Sequence, residues 1–590
     1  MKILRRSLLP LVLIVLLIAF LYSENFKEIA AGVAILLFGM IFLEDGFKSF
    51  SGGPLEKILR AATKSTPRSL SFGVISTSLL QSSSLISVIT ISFLSAGLIE
   101  LAGGIGVIFG ANIGTTTGAW LISIFGLKVK ISSFALPLVV FGIVLVTQKS
   151  RKMKGFGYVL AGIGFLFLGI HFMKEGFQDY QGSIDLKEYS VEGFWGLILF
   201  TFVGIVATVI MQSSHATLAI ILTALSTSQI NYVDALSLAI GANIGTTITA
   251  IIGAMSSNSA GKRLAVAHLI FNLSTGAIAL IFIGYLRDAV NFLSGHMGIA
   301  TDDYTLKLSL FHTLFNLIGV IVMVPAIPFM VRKLSNLYKE DDEKDISQPK
   351  FLSPASLEHS TSAVPALIKE SKHLFDNAFE IIAHGINVHR HDILSEKPLS
   401  DIVQTSIKNM EIDIDRLYSQ KIKIIYSKII EAATITQSKN IAEADIGLIY
   451  KVKMATRNIV EIVKYIKMIQ PNMAKFGNHQ NDSIRAEYNS LRKLIARVMR
   501  EIYHTQNAED LIQHHRLLNQ LREKAKLHDV VINGTIDRLI REEKITREMA
   551  TSLMNDSAIV GDIVERLISV SELIYLDSDW VESNGNGNSI

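Results

Sequence analysis

The sequence has no cysteine among its 590 residues. This absence excludes disulfide bonds, thiolate metal sites and cysteine nucleophiles. The formal net charge is only +4, so nothing in the composition indicates nucleic-acid binding. Paired catalytic carboxylates and a phosphate-binding Walker loop are also absent from the sequence. We therefore do not expect an enzyme.

Charged residues are missing from four long stretches of the chain. Residues 69–99, 101–127, 194–230 and 235–261 contain no Asp, Glu, Lys or Arg, and His215 is their only side chain that can ionise near neutral pH. The hydrophobic fraction of 49% and the mean hydropathy of +0.40 are high for a soluble protein. Because the apolar residues concentrate before residue 336, the composition predicts an all-α polytopic membrane protein with a charged helical C-terminal part.

Eight apolar segments approach the length of a membrane-spanning helix, about 20 residues. They are 7–22, 28–45, 103–125, 131–147, 156–173, 235–254, 264–285 and 307–331. Two further apolar segments, 69–98 and 194–228, are too long for one span and predict re-entrant hairpins, which membranes tolerate where the broken backbone is buried in protein or lines a cavity. The N-terminal segment 1–25 is read either as a signal peptide or as a retained membrane helix. We favour the helix because no small-residue cleavage site follows it.

Basic residues assign the sides of the membrane. Clusters of Lys and Arg occur at the N-terminus and around residues 48–68, 149–154, 262–263 and 332–333, whereas 174–192 is acidic. Since positive loops stay inside, we expect cytoplasmic N- and C-termini in a multi-pass protein of the cytoplasmic (inner) membrane.

Two polar phrases occur twice at one spacing. "QSSSL" begins at Gln81 and "QSSHA" at Gln212, while "GANIGTTTGA" begins at Gly110 and "GANIGTTITA" at Gly241; 212 − 81 and 241 − 110 are both 131. Phrases that keep one offset indicate an internal duplication. A third pair, "GMIFLEDGFKSFSG" (39–52) and "GIHFMKEGFQDYQG" (169–182), leaves the membrane on opposite sides in the predicted orientation. Repeats of inverted topology, here 26–148 and 149–335, are typical of secondary transporters, whose site lies where the repeats meet.

The duplicated phrases supply neutral oxygen atoms. Amide and hydroxyl oxygens suit a hard cation such as sodium, and the N-termini of broken helices receive anions. Without Arg or Lys, a cation that travels with the anion would offset the cost of bringing it into the membrane. The predicted substrate and ion site consists of Gln81, Ser82, Ser83, Ser84, Asn112, Thr115, Thr116, Gln212, Ser213, Ser214, Asn243, Thr246 and Thr247.

Structural interpretations compete with this site. Glycines spaced by four, as in Gly106, Gly110 and Gly114, also let helices pack closely. His215 replaces the equivalent of Ser84 and is either a hydrogen-bonded structural residue or a proton carrier. The phrases "AHLIFNL" and "FHTLFNL" repeat a His and an Asn four residues apart, which predicts hydrogen bonds between two helices.

With these motifs, residues 26–331 resemble the sodium-dependent inorganic phosphate cotransporters (Na/Pi, type II). The resemblance implies symport of phosphate with sodium as the coupling ion, with no other cofactor, and it assigns the two Gln-Ser-Ser segments to the site. His215 departs from the serine usual in the family. A sodium-coupled carrier of another oxyanion and a membrane phosphate sensor are the alternatives.

The remainder of the chain reads as a separate helical domain. A charged linker (336–356) precedes amphipathic helices at about 357–387, 397–435, 441–470, 481–506, 508–541 and 545–577, which predict a cytoplasmic double three-helix bundle. This domain (357–577) resembles the phosphate-uptake regulator PhoU. Glu411 and Asp415 are either a weak divalent-cation site or part of a solvated helix face. We expect a disordered tail at 578–590, contact with the lipid bilayer, and no nucleic-acid partner; a homodimer is left open.

Overall fold

A computed structural model describes residues 13–14, 16–50, 59, 62–127, 131–179, 191, 193–337, 348–406, 412–439, 443–506 and 511–575. Within these ranges the secondary structure is helical and contains no β-strand, which confirms the all-α prediction for this part of the chain. The chain divides into two compact units, Met1–Lys339 and Glu340–Ile590.

The first unit is built from apolar helices of very different lengths. After a helical stretch at residues 16–22, its helices are α1 (Glu24–Phe50), α2 (Thr66–Leu80), α3 (Ser83–Ser95), α4 (Leu101–Leu121, extended by a π-helical turn Ile122–Gly126), α5 (Ile131–Val146), α6 (Arg151–Asp179), α7 (Phe194–Met211), α8 (Ser214–Ser226), α9 (Tyr232–Gly245), α10 (Thr247–Met255), α11 (Ser259–Ile281), α12 (Ile283–His296), α13 (Tyr304–Met323) and α14 (Ile327–Leu337).

Helical segments of membrane-spanning length are confirmed in the first unit. The described residues contain seven: Phe26–Phe47, Leu101–Gly126, Lys152–Asp179, Phe194–Met211, Tyr232–Met255, Ser259–Ile281 and Tyr304–Leu337. They differ from the predicted set in three places. The predicted span 131–147 forms the shorter helix α5, α7 is itself long enough to cross, and 7–12 and 15 of the predicted span 7–22 lie outside the described residues.

Helices α1 and α6, which carry the third duplicated phrase, pack against each other through glycines. A Cβ on Gly39 would lie 2.7 Å from the Gly162 carbonyl oxygen, and one on Gly169 would lie 2.6 Å from that of Gly32. Such distances require glycine because the two backbones touch. Gly39 and Gly169 are equivalent positions of the phrase. Gly39 contacts Gly162, seven residues before Gly169, and Gly169 contacts Gly32, seven residues before Gly39. This reciprocal antiparallel contact has the form expected at a two-fold axis.

The second unit is a set of amphipathic helices around one apolar core that runs from Val364 to Ile574. Its helices are α15 (Ser360–Gly385), α16 (Arg390–Ile393), α17 (Leu399–Thr405), α18 (Ile414–Leu417, continued by a π-helical turn Tyr418–Ile422), α19 (Lys423–Gln437), α20 (Glu443–Gly477), α21 (Asp482–Gln506), α22 (Leu511–Leu527), α23 (Thr535–Arg541) and α24 (Arg547–Ile574). Helix α20 packs against both α15 and α24. The second and fifth predicted helices are each interrupted, and the two-bundle arrangement stays a prediction.

Two buried polar groups shape the interior of this second unit. Arg492 is 0% exposed, donates hydrogen bonds to the carbonyls of Ile386 and Val403, and has its pKa lowered to about 10 by burial. The Asp556 carboxylate accepts hydrogen bonds from the Tyr488 hydroxyl (2.7 Å) and a neighbouring asparagine amide. Burial raises the pKa of Asp556 above its usual value, because the charged form loses its hydration.

Candidate functional site

Both Gln-Ser-Ser phrases interrupt a helix with the same backbone geometry. Gln81 (φ 52°, ψ 27°) ends α2, and Gln212 (φ 53°, ψ 22°) ends α7. This left-handed conformation is uncommon for a residue with a side chain. Ser82 and Ser213 then begin α3 and α8 as N-caps, and their hydroxyl oxygens each accept a backbone N–H at 3.2 Å. The two predicted breaks in the helices are therefore present, and these two serines have a capping role.

The short helices after the breaks also end alike. The backbone turns left-handed at Gly97 and at Ser228, 131 residues later. The Leu98 amide donates to the Phe93 carbonyl and the Gln229 amide to the Ala224 carbonyl, both at 2.9 Å. These are the bonds of a Schellman motif. The duplication thus extends to hydrogen-bonding detail.

Glycines of the duplicated phrases hold helices in close contact. A Cβ on Gly110 would lie 2.1 Å from the carbonyl oxygen of Leu70, and a Cβ on Gly241 would lie 2.0 Å from that of Thr201. No side chain fits at these distances, so α4 packs on α2 and α9 on α7 backbone to backbone. For these glycines the packing interpretation is confirmed.

The polar side chains of the Gly phrases are buried, and most bond to their own helix. Asn112 donates to the Ile108 carbonyl, and Thr115 to the Ala111 carbonyl, both at 2.9 Å. Thr116, Thr246 and Thr247 donate to carbonyls three residues earlier, at 2.6–2.8 Å. Because these hydroxyl hydrogens are committed, the hydroxyl oxygens can act only as acceptors, and that of Thr246 already accepts from the Asn272 amide at 3.4 Å. This arrangement suits a cation better than an anion.

Asn243 differs from its counterpart Asn112 because it joins two further helices. Its amide nitrogen lies 3.2 Å from Asn316 Oδ1 and 3.5 Å from Asn272 Oδ1, and Asn272 Nδ2 donates to the Asn243 carbonyl at 2.8 Å. Asn272 of α11 and Asn316 of α13 are therefore each hydrogen-bonded to Asn243 of α9. Interhelical bonds are present at both asparagines, but among the described residues they run to α9 and not directly between the predicted pair of helices.

The two copies contact each other at equivalent positions filled by different residues. Thr249 Oγ1 donates to Ser84 Oγ at 3.2 Å. By the 131-residue offset, Gly118 is the equivalent of Thr249, and His215 is the equivalent of Ser84. A Cβ on Gly118 would lie 2.0 Å from His215 Cδ2 and 3.0 Å from Gln81 Oε1. A large side chain thus faces a glycine in one contact, and two small hydroxyl residues face each other in the other.

His215 lies where the two helix breaks meet. The residue is 6% exposed, and its Nε2 has no hydrogen-bond partner among the described residues. The Gln81 amide beside it donates to Thr117 Oγ1 at 3.1 Å. The structure therefore brings together the second break, the first break and the first Gly phrase. The role of Gly118 was not foreseen; its signal in the sequence was that both copies differ at this pair of positions.

Other predicted residues are not brought together in this way. Gln212 is exposed. The equivalent of Thr117 in the second copy is Ile248, which has no hydroxyl to bond the Gln212 amide. Ser83 and Ser214 are buried first residues of α3 and α8. Of the proposed divalent-cation pair, Glu411 lies outside the described residues, and Asp415 forms an ion pair with Lys467 at 2.7 Å.

A comparison with protein-family models matches two segments of the first unit, and curated proteins of similar sequence are known. Residues 35–175 and 197–323 match the family model described as "Na+/Pi-cotransporter". "Putative inorganic phosphate export protein YjbB" of Escherichia coli strain K12 is 25% identical over 367 residues, 62% of this chain and 65% of that protein. "Uncharacterized protein YqeW" of Bacillus subtilis strain 168 is 29% identical over 302 residues, 50% of this chain and 92% of that protein.

The chain thus spans just under two thirds of the length of the Escherichia coli relative. No solved structure matches it significantly. Both helix breaks and both Gly phrases fall inside the matched segments, and over these segments the first unit of the chain is similar to the Na+/Pi-cotransporter family.

Proposed function

We propose that this chain is a sodium-coupled symporter of inorganic phosphate across the cytoplasmic membrane. The observation that carries the proposal is the meeting of two equivalent helix breaks, one from each copy, beside Gly118. Broken helices in the middle of a membrane unit are where secondary transporters bind substrate and coupling ions. The match to the Na+/Pi-cotransporter family model supports sodium and phosphate together, and the relatives named for phosphate export support phosphate as the substrate.

The residues divide into groups suited to each ion. The first turns of α3 and α8 present backbone N–H groups and positive dipole ends, which favour an anion. The Thr115 and Thr247 hydroxyls donate to their own helices and leave oxygens for sodium. Since the uncharged stretches supply no fixed positive charge, each ion binds well only when the other is present. The coupling free energy that results is reciprocal.

We propose further that the two copies are inverted repeats with one re-entrant hairpin each. The reciprocal contact of Gly39 and Gly169 across the antiparallel pair α1 and α6 supports this topology. The proposed repeats are 26–148 and 149–335, between a retained N-terminal helix and a linker at 336–356. The termini are proposed to be cytoplasmic.

Uptake of radiolabelled phosphate into proteoliposomes tests the function. We expect accumulation when an inward sodium gradient is imposed, and little when choline replaces sodium. Equal accumulation in choline would contradict coupling. Excess unlabelled sulfate or a carboxylate tests the alternative oxyanions, and loading the label inside the vesicles tests export. A chain that binds phosphate but moves none would favour the sensor.

The second unit is proposed to be a cytoplasmic PhoU-like domain that regulates transport without forming the pathway. Every proposed ligand precedes residue 250. A chain ending after Lys339, at the boundary between the two units, should therefore keep sodium-dependent uptake with an altered rate or phosphate sensitivity. A regulatory unit can act only by contacting two carrier states differently. If the shortened chain is monodisperse and helical yet moves no phosphate, the second unit is required for transport itself.

A further inference from the structure

A basic cavity lies at one end of the first unit, away from the helix breaks. Its volume is about 440 Å³, and its lining includes Tyr232, Arg287, Asn291, Ser294, Tyr304 and Lys307. No residue of the Gln-Ser-Ser or Gly phrases lines it. The cavity sits beside the starts of α9 and α13, which the predicted orientation places on the extracytoplasmic side.

The described lining of this cavity carries positive charge and no carboxylate. Lys307 is 6% exposed, and its ammonium donates to the Thr301 carbonyl at 2.8 Å and lies 5.6 Å from the Tyr304 ring centroid. No carboxylate in the described part of the chain forms an ion pair with it. Because its partners in the described part of the chain are only a carbonyl and a ring face, this buried ammonium is incompletely neutralised there. A bound anion would complete its neutralisation.

Two further groups are arranged to receive an anion. The Tyr232 hydroxyl is buried and has no hydrogen-bond partner among the described residues. Arg287, 45% exposed, lies on α12, where Asn291 and Ser294 follow it on the same face at helical spacing. Among the described residues, its guanidinium forms an ion pair only with the exposed neighbouring Asp288, at 3.4 Å. Guanidinium and hydroxyl donors match the oxygens of a phosphate group.

We propose that this cavity is a second, lower-affinity site for a phosphate group, occupied by inorganic phosphate on its way to or from the helix breaks. The inference rests on the proposed function for its choice of anion. The basic residues of this cavity then have a function that the uncharged helix breaks lack. A cleft lined by positive charge raises the local concentration of an anion near the pathway.

Equilibrium binding of radiolabelled phosphate to the full chain in phosphatidylcholine nanodiscs tests the site without any gradient. We expect more than one phosphate per wild-type chain, and one fewer in Arg287→Gln/Lys307→Gln. Because Lys307 is buried, Arg287→Gln alone is the second variant, and it should weaken the lower-affinity site about tenfold. The matched control is Lys262→Gln, because Lys262 lies near the start of α11 and does not line the cavity. Asp288→Asn should bind at least as tightly as the wild type.

The outcomes separate this site from the transport function. Unchanged phosphate number and affinity in Arg287→Gln would overturn the site even if uptake is normal. Loss of one phosphate in a chain that transports nothing would support the site and contradict the carrier. Displacement of phosphate by phosphatidylglycerol in the nanodisc would assign the cavity to a lipid headgroup and overturn inorganic phosphate as its occupant.

Discussion

Replacing Gly118 with alanine tests how tightly the two helix breaks are coupled. The new Cβ would lie 2.0 Å from His215 Cδ2 and 2.3 Å from Nε2, whereas carbon atoms normally meet at about 3.5–4.0 Å. The buried imidazole would have to move by more than about 1 Å, and Gln81 Oε1 occupies the neighbouring space. Overpacking of this kind costs about 1–3 kcal/mol. We expect a loss of stability in that range and slower sodium-driven phosphate uptake.

The second copy supplies both the rescue and the control. Gly118→Thr/His215→Ser reproduces the Thr249–Ser84 pair, so it should be more stable than Gly118→Thr alone. The favourable coupling should reach about 0.5–3 kcal/mol. The control is Gly253→Ala in α10, where the nearest atom to the new Cβ is Val88 Cγ2 at 3.4 Å. That change should be neutral or stabilising by up to about 1 kcal/mol, because alanine favours helix over glycine.

Thermal unfolding of the purified full chain measures the stability, and uptake per reconstituted protein measures the function. The reasoning is refuted if Gly118→Ala matches Gly253→Ala in both measurements. It is also refuted if the effects at positions 118 and 215 simply add, because then the two residues do not touch.

Three further predictions concern buried polar groups. Ser83→Ala and Ser214→Ala should each impair phosphate uptake while thermal unfolding stays near that of the wild type; normal uptake in both would move the site elsewhere. Asn243→Ala should lower the unfolding temperature more than Asn112→Ala, because only Asn243 bonds to neighbouring helices and a buried group left unpaired costs about 1–3 kcal/mol. Burial raises the pKa of Asp556, so between the ordinary and the raised pKa the folded chain keeps a proton that the unfolded chain has released. The contribution of Asp556 to stability is therefore largest below the ordinary pKa and falls as the pH rises through the raised one. Hydrogen exchange in α24 should show that fall, and Asp556→Asn should reduce it; an unchanged pH profile in the variant would contradict the assignment.

The sequence could predict the helix breaks because two observations agreed there. Each apolar segment was too long for one span, and each carried the same polar phrase at its middle. The left-handed backbone of Gln81 and Gln212 could not be predicted, since glutamine is not a residue type that marks this conformation. The close packing of the Gly phrases followed from glycines spaced by four.

Contacts between residues far apart in the chain were not predictable from one sequence. Gly118 and His215 meet only because the two copies pack together, and neither residue has a local pattern that names the other. Lys307 begins the predicted span 307–331, and only the fold shows that it is buried without an ion-paired carboxylate among the described residues. Arg492 lies on an amphipathic helix with other charges, and its full burial gives no signal in the sequence.

The differences between the copies bear on how the proposed carrier works. If two inverted repeats were identical, exchanging their conformations would convert the inward-facing state into the outward-facing one, and the two states would have equal intrinsic free energies. Here the Gln81 amide is hydrogen-bonded to Thr117, whereas Gln212 is exposed and Ile248 replaces the threonine in its copy. The cross-contacts differ as well, with His215 against Gly118 in one and hydroxyl groups in the other. The two halves therefore stabilise their closed and open forms unequally, and we expect the empty carrier to prefer one side of the membrane.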